Sequence, residues 1–239
     1  MNPKHPIIEG LLELVYPTRC VVCEKPGSLI CDEDYQKLVY IDLESACPRC
    51  GAPFGLTLCT ECTTRHGPEE FAFSSAISML IYDDRAEAII TGYKDFNERR
   101  LALELASLLA QVLPLQWRRW ATGLSWIPAD RTALQRRGFD HMGMLANELA
   151  SRTGIPLFDL LVKQGRADQR VLTRAERREN AFRLFNIKPN TIKDNSVLPQ
   201  RLILIDDVFT TGATLDAAAT VLQAAGVSEI RTVTVARVW

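Results

Sequence analysis

The stretch Leu202-Ile203-Leu204-Ile205-Asp206-Asp207-Val208-Phe209-Thr210-Thr211-Gly212-Ala213-Thr214-Leu215 decides the fold of this chain. Its first four residues form a continuous apolar run, which is typical of a strand buried on both faces of a parallel sheet. Two carboxylates, a Thr/Gly-rich turn and an Ala-rich helix ending at Gly226 follow. This order predicts an anion-binding turn where a buried strand meets the N-terminus of a helix.

The residue types of the turn favour a phosphorylated sugar as its ligand. Helix N-terminal amides converge on an anion, Gly212 lets the backbone approach it, and the threonine hydroxyls add donors. Asp206 and Asp207 would repel phosphate, so we expect them to face ribose hydroxyls or a magnesium ion. An ordinary helix cap needs one polar residue, whereas six of these nine are polar or glycine. The predicted binding residues are Asp206, Asp207, Val208, Phe209, Thr210, Thr211, Gly212, Ala213 and Thr214.

The segments before and after this stretch alternate between strand and helix patterns. Strands are predicted at 75–82, 124–127 and 230–238, and amphipathic helices at 99–112 and 139–152. This alternation predicts an α/β domain over residues 68–239, with a parallel sheet flanked by helices. Residues 162–180 are rich in Arg, Gln and Glu, and they predict a long loop of the kind that closes over a ligand.

All seven cysteines lie between Cys20 and Cys62, which predicts a separate metal-binding module over residues 1–67. Cys47-x-x-Cys50 and Cys59-x-x-Cys62 supply the four thiolates of a tetrahedral zinc site. A set closed by protein ligands is structural, not catalytic. The alternative, a disulfide module, is disfavoured in a reducing cytosol.

The first half of the module leaves its metal site open. Cys20, Cys23 and Cys31 supply three thiolates, and the fourth ligand is either Asp34 or His66. The sequence therefore predicts one structural zinc and allows a second.

Composition excludes several classes of protein. The formal net charge of −1 over 239 residues gives no field that would draw the whole chain to nucleic acid or an anionic membrane. The chain shows neither a signal-peptide pattern nor an apolar run long enough for membrane insertion. We therefore expect a cytoplasmic protein.

The fourteen residues from Leu202 to Leu215 resemble the signature of the type I phosphoribosyltransferases. The resemblance implies that Asp206 and Asp207 hold the ribose hydroxyls and that the Thr/Gly turn holds the 5′-phosphate. It also implies 5-phosphoribosyl pyrophosphate and magnesium as ligands.

The whole chain is similar to the ComF family of bacterial competence-associated proteins, which join a Cys-rich module to such a domain. The likeness includes Tyr93-Lys94, Arg136-Arg137-Gly138-Phe139 and the segment 169–182. It departs from the family at Asp34, which replaces an eighth cysteine, and at Asp140-His141, which replaces Asn-Gln. The resemblance implies a role in DNA uptake and natural transformation.

The family pattern also indicates candidates for contacts to the pyrophosphate. Arg136 and Arg137 are interpreted as residues at a helix start, where arginine forks suit a diphosphate, although each basic residue could equally be a solvated surface residue. His141 is interpreted as an ordinary helix residue. The candidates are Arg131, Arg136, Arg137 and Lys94, with Arg177 and Asn180 on the predicted lid; Asp206, Asp207 and Arg177 are the candidate catalytic residues.

Three functions remain open at the level of sequence. The chain is either a phosphoribosyl-transferring enzyme, a sensor that binds the sugar phosphate, or a DNA-handling accessory. Acidic residues outnumber basic ones in the Cys-rich module, so single-stranded DNA would have to bind elsewhere. The basic candidates are Lys163, Arg166, Arg170, Arg174, Arg177, Arg178 and Arg183. DNA-uptake proteins are the other possible partners.

Overall fold

The structure is a computed structural model that describes residues 17–53, 55, 57–64, 70–164, 174–189 and 198–239. For residues 174–178 the description covers the backbone alone. The expected domain boundary at residue 67 lies outside these ranges, as does His66.

A four-stranded parallel sheet forms the centre of the described structure and confirms the predicted α/β class. The strands are β1 Ser75–Ile81, β2 Gly123–Trp126, β5 Arg201–Phe209 and β6 Glu229–Arg237, in the order β1-β6-β5-β2. A separate antiparallel pair consists of β3 Leu161–Lys163 and β4 Phe185–Ile187. Strand β5 extends beyond its apolar run because its pairing with β6 continues to Phe209 opposite Arg237.

Nine helices lie within the described ranges. They are α1 Asp32–Gln36, α2 Thr60–Thr64, α3 Asp84–Lys94, α4 Leu101–Val112, α5 Leu115–Trp120, α6 Arg131–Arg137, α7 His141–Thr153, α8 Arg174–Leu184 and α9 Ala213–Ala224. Helix α3 was not predicted from the sequence; its buried positions 86, 89, 90 and 93 follow helical spacing within a polar segment. The side chain of Asp83 caps this helix by accepting from the amides of Arg85 and Ala86.

The interpretation of residues 162–180 as one long loop was wrong at both ends. Strand β3 extends to Lys163, and helix α8 begins at Arg174. Ala181 and Leu184 of α8 are buried in the same cluster as Leu215 and Ala218 of α9. The low apolar content of residues 162–180 concealed this helix, because these two buried residues lie beyond residue 180.

The two faces of β5 bury different side chains, as the continuous apolar run predicted. Ile203 and Ile205 join the cluster formed with α3, α4 and α7, whereas Leu202 and Leu204 join the cluster that contains α9 and the second Cys set. The carboxyl end of β5 therefore lies between two packed layers, which fixes the position of the acid pair.

The Cys-rich module pairs with the free edge of the sheet. The amide of Ile41 donates to Met79 O at 3.0 Å, and the amide of Ile81 donates to Val39 O at 2.9 Å. This short antiparallel contact protects β1 from pairing with another chain. Within the described parts of the chain, helices are too short or too polar to cross a membrane.

Candidate functional site: an acid pair, a glycine turn and two cysteine clusters

Two adjacent carboxylates near the carboxyl end of β5 form the centre of the site. Asp207 Oδ2 accepts from Lys94 Nζ at 2.7 Å and lies 3.4 Å from His141 Nε2. Asp206 is buried, and its Oδ1 accepts from the backbone amide of Asp207 at 2.9 Å. The structure thus joins β5 to the ends of α3 and α7, which the sequence could not show.

The two carboxyl groups have opposite pKa shifts. Burial raises the pKa of Asp206 well above its usual range, and the neighbouring Asp207 carboxylate raises it further. Burial also opposes ionisation of Asp207, but His141 and Lys94 lower its pKa below the usual range. Burial alone would lower the pKa of Lys94, but Asp207 and Asp206 together raise it above its usual value, so Lys94 is likewise held charged. Asp207 is therefore the ionised member of the pair. Asp206 is the member whose ionisation is disfavoured by burial and by the Asp207 carboxylate.

The raised pKa of Asp206 predicts a particular pH dependence of stability. Between the usual carboxyl pKa of about 4 and the raised folded value, the folded state holds a proton that the unfolded chain has lost. The free energy of unfolding should therefore fall as pH rises through this window.

We expect Asp206→Asn to remove this fall and to raise the melting temperature at about pH 8.5. One kcal/mol corresponds to about 2–4 °C in a protein of this size. Melting curves of ligand-free wild type and variant from about pH 5 to about pH 9 test this. Parallel pH profiles for the two proteins would contradict the expectation.

The turn after β5 presents helix N-terminal amides beside the acid pair. Thr210 and Thr211 are exposed, and the N-cap residue of α9 is Gly212, which has no side chain to cap the helix. Thr211 Oγ1 accepts from the amide of Ala213 at 3.4 Å. The first-turn amides of a helix without a side-chain cap are suited to an anion. The structure thus has the predicted order of strand, turn and helix, and phosphate binding at this turn stays a prediction.

Gly212 adopts φ +77°, in the left-handed region that favours glycine. A Cβ at this position would lie 2.6 Å from Phe209 Cζ and 3.1 Å from Phe71 Cε1. The sequence indicated glycine here for close approach to phosphate and for the dihedral angles of the turn. The structure adds a further reason, because the rings of Phe209 and Phe71 pack against Gly212.

The arginine candidates lie at both ends of helix α6. Arg131 is the exposed first residue of the helix, and Arg136 and Arg137 are in its last turn before the left-handed Gly138. The interpretation of Arg136 and Arg137 as residues at a helix start was therefore wrong. Both donate to Asp95 Oδ1, at 3.3 and 3.1 Å, directly after Lys94 in the chain. Asp95 thus gathers these cations near the acid pair.

His141 is the residue that the sequence interpretation undervalued. It is 4% exposed and lies between Asp207 and Arg137, with its Nδ1 at 3.4 Å from Arg137 Nη1. The hydroxyl of Tyr93 donates to His141 O, which fixes the first residue of α7. In the sequence, only the replacement of the family's Asn-Gln by Asp140-His141 drew attention to His141.

The β3–β4 pair brings a further cation into range of the acid pair. Lys163 of β3 is close enough to lower the pKa of Asp206, against the larger effect of burial. No pattern in the amino-acid sequence indicated that Lys163 lies near Asp206. Of the lid candidates, Asn180 lies in α8, and the side chain of Arg177 lies outside the described residues.

The second Cys set has the donor arrangement of a structural zinc site. The Sγ atoms of Cys47, Cys50, Cys59 and Cys62 all lie within 4.8 Å of one another, and the four residues are buried. Four thiolates at these spacings suit a tetrahedral zinc. The cluster belongs to the same core as Phe71, Phe73 and Phe209, so the metal site and the domain share one apolar layer.

The first Cys set gathers Cys20, Cys23, Cys31 and Asp34 within 4.8 Å. One oxygen of Asp34 lies 3.1 Å from Cys31 Sγ and 3.3 Å from Cys20 Sγ, and the other lies 3.6 Å from Arg85 Nε. Asp34 thus stands where a fourth zinc ligand is needed.

Comparisons with known proteins agree with both parts of the chain. Residues 133–238 match the model of the phosphoribosyl transferase domain, and residues 11–63 match that of the double zinc ribbon domain. Competence protein ComFC of Streptococcus pneumoniae is 26% identical over 87% of this chain and 86% of its own length. DNA utilization protein YhgH of Salmonella typhi is 26% identical over 91% and 96%. Competence protein F of Haemophilus influenzae is 33% identical over 40% and 42%.

The fold, the glycine turn and the cysteine clusters define a phosphoribosyltransferase-domain protein with a zinc ribbon that carries structural zinc. Two of the relatives, ComFC and YhgH, align with this chain along most of their length. The chain is therefore similar to the ComF family of competence proteins in both of its parts.

Proposed function

We propose that the protein binds 5-phosphoribosyl pyrophosphate together with magnesium at the carboxyl end of β5. The observation that carries the proposal is the adjacency of a carboxylate paired with Lys94 and a helix N-terminus whose N-cap residue is glycine. Asp207 and the turn at Gly212 are five residues apart on one strand-turn-helix unit. A ribose 5-phosphate needs both groups, one for its hydroxyls and one for its phosphate.

Magnesium fits this site because the nearby lysines do not offset the effects that disfavour ionisation of Asp206. Burial and Asp207 both disfavour ionisation of Asp206, and a divalent cation nearby would reverse that effect. Magnesium bound with the pyrophosphate would neutralise the charge of the leaving group. We propose that Arg131, Arg136 and Arg137 take part in holding the same group from α6.

The chain's own residues act mainly by orientation. Lys94 and His141 keep Asp207 ionised, so that it can accept from the ribose hydroxyls. Transfer would displace pyrophosphate from ribose C1 by a nitrogen nucleophile, with positioned charges and no covalent enzyme intermediate. Arg177 of α8 is proposed to complete the site from the lid side.

Turnover of isotope-labelled 5-phosphoribosyl pyrophosphate with a panel of nitrogen bases and single-stranded DNA tests the proposal. Pyrophosphate release that depends on one acceptor identifies a transferase. Binding without release identifies a ligand sensor. Absence of binding with magnesium present would refute the proposed site.

Asp207→Asn is expected to weaken binding of 5-phosphoribosyl pyrophosphate by about 1.5–3 kcal/mol, the loss typical of a charged hydrogen bond. This corresponds to roughly a 10- to 100-fold higher Kd. Calorimetry with magnesium measures it, with ribose 5-phosphate as the comparison ligand.

The matched control for this substitution is Asp84→Asn, because Asp84 is an exposed carboxylate in the first turn of α3. It should leave Kd unchanged. Equal Kd values for Asp207→Asn and wild type would remove Asp207 from the proposed contacts.

The names of the relatives support a link to competence and DNA use. We propose that ligand binding serves natural transformation, through single-stranded DNA or through other DNA-uptake proteins. The basic stretch 163–183 remains the predicted DNA contact. Among the members whose side chains the structure describes, Lys163 is the one that it associates with the acid pair.

The two cysteine clusters are proposed as the zinc ligands. Cys47, Cys50, Cys59 and Cys62 would hold one ion. The second ion would be held by Cys20, Cys23, Cys31 and Asp34. Neither cluster leaves an open position for a substrate, so both ions would be structural.

A further inference from the structure

A buried arginine lies between the second Cys cluster and the phosphate turn. Arg237, in the last position of β6, is 2% exposed. Its Nη1 donates to Cys50 O at 2.9 Å, and its Nη2 lies 3.5 Å from Cys50 Sγ. No carboxylate of the described residues is within ion-pair distance of this guanidinium. A buried cation needs an anionic partner, and the nearest candidates are the sulfur atoms of the Cys cluster, which are anionic when they bind a metal.

The charge of a zinc-bound cluster matches this need. Zinc with four thiolates carries a net double negative charge, which a buried site does not tolerate without compensation. The Nε of Arg237 has no hydrogen-bond partner in the described part of the chain. Neutral hydrogen bonds therefore satisfy only part of the Arg237 guanidinium. The negative charge of a zinc-bound cluster would stabilise its positive charge.

The same guanidinium stacks on the ring that supports the phosphate turn. Its Cζ lies 4.2 Å from the centroid of Phe209. The Cζ atom of the same ring packs against Gly212, where it would lie 2.6 Å from an added Cβ. The path from Cys50 to the turn thus consists of two side chains in direct contact.

A second connection runs through the segment before β1. Arg49, inside the Cys47–Cys50 knuckle, donates to Phe71 O at 3.2 Å, and the Phe71 ring also lies beneath Gly212. The next residue, Ala72, donates to Asp216 Oδ1 of α9 at 2.7 Å. Phe71 and Phe73 are stacked at 4.5 Å and meet Phe209 edge-on. The aromatic layer is therefore attached to the knuckle and to the helix that follows the turn.

We infer that Arg237 is a positioning residue that compensates the charge of the second zinc cluster and holds Phe209 beneath Gly212. Zinc in this cluster and the conformation of the phosphate turn are then coupled through this side chain. The inference rests on the proposed function in that the turn binds the 5′-phosphate. It extends that function by making zinc a requirement for a formed ligand site.

The test compares Arg237→Met with Arg237→Lys, Phe209→Leu and the control Arg231→Met. Methionine retains apolar packing without charge, and lysine retains charge without the planar fork. Arg231 lies on the same strand but contacts Trp120 at 4.0 Å instead of the Cys cluster. Zinc release to a chromogenic chelator and hydrogen exchange of amides 209–214 are measured on the full chain.

Arg237→Met should release zinc at least tenfold faster and should raise exchange at 209–214, whereas Arg231→Met should do neither. Arg237→Lys should restore slow zinc release in part. Phe209→Leu should raise exchange at the turn without an equal change in zinc release. If Arg237→Met does not fold, Arg237→Lys and Phe209→Leu carry the comparison. Wild-type zinc release and exchange in the Arg237 variants would overturn the inference.

Ligand binding separates this inference from the proposed function. If wild type fails to bind 5-phosphoribosyl pyrophosphate, the proposed function fails, whereas the exchange data still decide the role of Arg237. If wild type binds, Arg237→Met should raise Kd at least tenfold, and chelation of zinc from wild type should do the same. An unchanged Kd in both cases would overturn the inference and leave the proposed function intact.

Discussion

Cys59→Ser is expected to lower the zinc content by one ion per chain and to unfold the second half of the zinc ribbon. Structural zinc in small modules contributes about 10–16 kcal/mol of apparent binding free energy, which is comparable to the whole stability of a domain. Serine cannot replace a thiolate ligand, so most of this free energy would be lost. Elemental analysis and thermal melting measure the two effects.

The effect of Cys59→Ser should extend beyond the ribbon, because the second cluster is part of the core beside β5 and α9. We therefore expect a lower melting temperature for the whole chain. Thr60→Ser is the matched control, since Thr60 is the exposed neighbour of Cys59. Zinc content below about half an ion per chain in wild-type protein never exposed to chelator would contradict the metal assignment.

Gly212→Val should both abolish binding of 5-phosphoribosyl pyrophosphate and destabilise the protein. A residue with a Cβ in the left-handed region costs about 1–2 kcal/mol, and forcing atoms into a packed site costs about 1–3 kcal/mol more. The Cβ would meet Phe209 and Phe71, so the turn or the rings must move. Calorimetry and melting of the variant measure both losses.

Two alanine variants separate the backbone cost from the packing cost. Gly212→Ala and Gly154→Ala place a Cβ at nearly equal φ, +77° and +73°, but nothing lies within 4 Å of the added atom at Gly154. Gly154→Ala should lower stability by the backbone cost alone and leave Kd unchanged. Equal destabilisation by the two alanine variants would show that the aromatic contact beneath the turn is unimportant.

The sequence by itself determined the class of fold and the chemistry of both sites. An apolar run with no polar interruption requires burial on both faces, and the turn that follows uses residues whose backbone and side chains suit an anion. The cysteine pairs were similarly decisive, because zinc knuckles depend on short-range spacing. These features are local in the chain, so a single sequence displays them.

Only the tertiary structure decided which distant residues meet at the acid pair. Lys94, His141 and Lys163 come from three separate elements, and no local pattern distinguishes them from surface residues. The position of Arg237 was equally inaccessible, since its alternating strand pattern gave no sign that its charge is buried beside Cys50. Such contacts arise from packing between elements far apart in sequence, and local propensity and periodicity do not encode which partners will face one another.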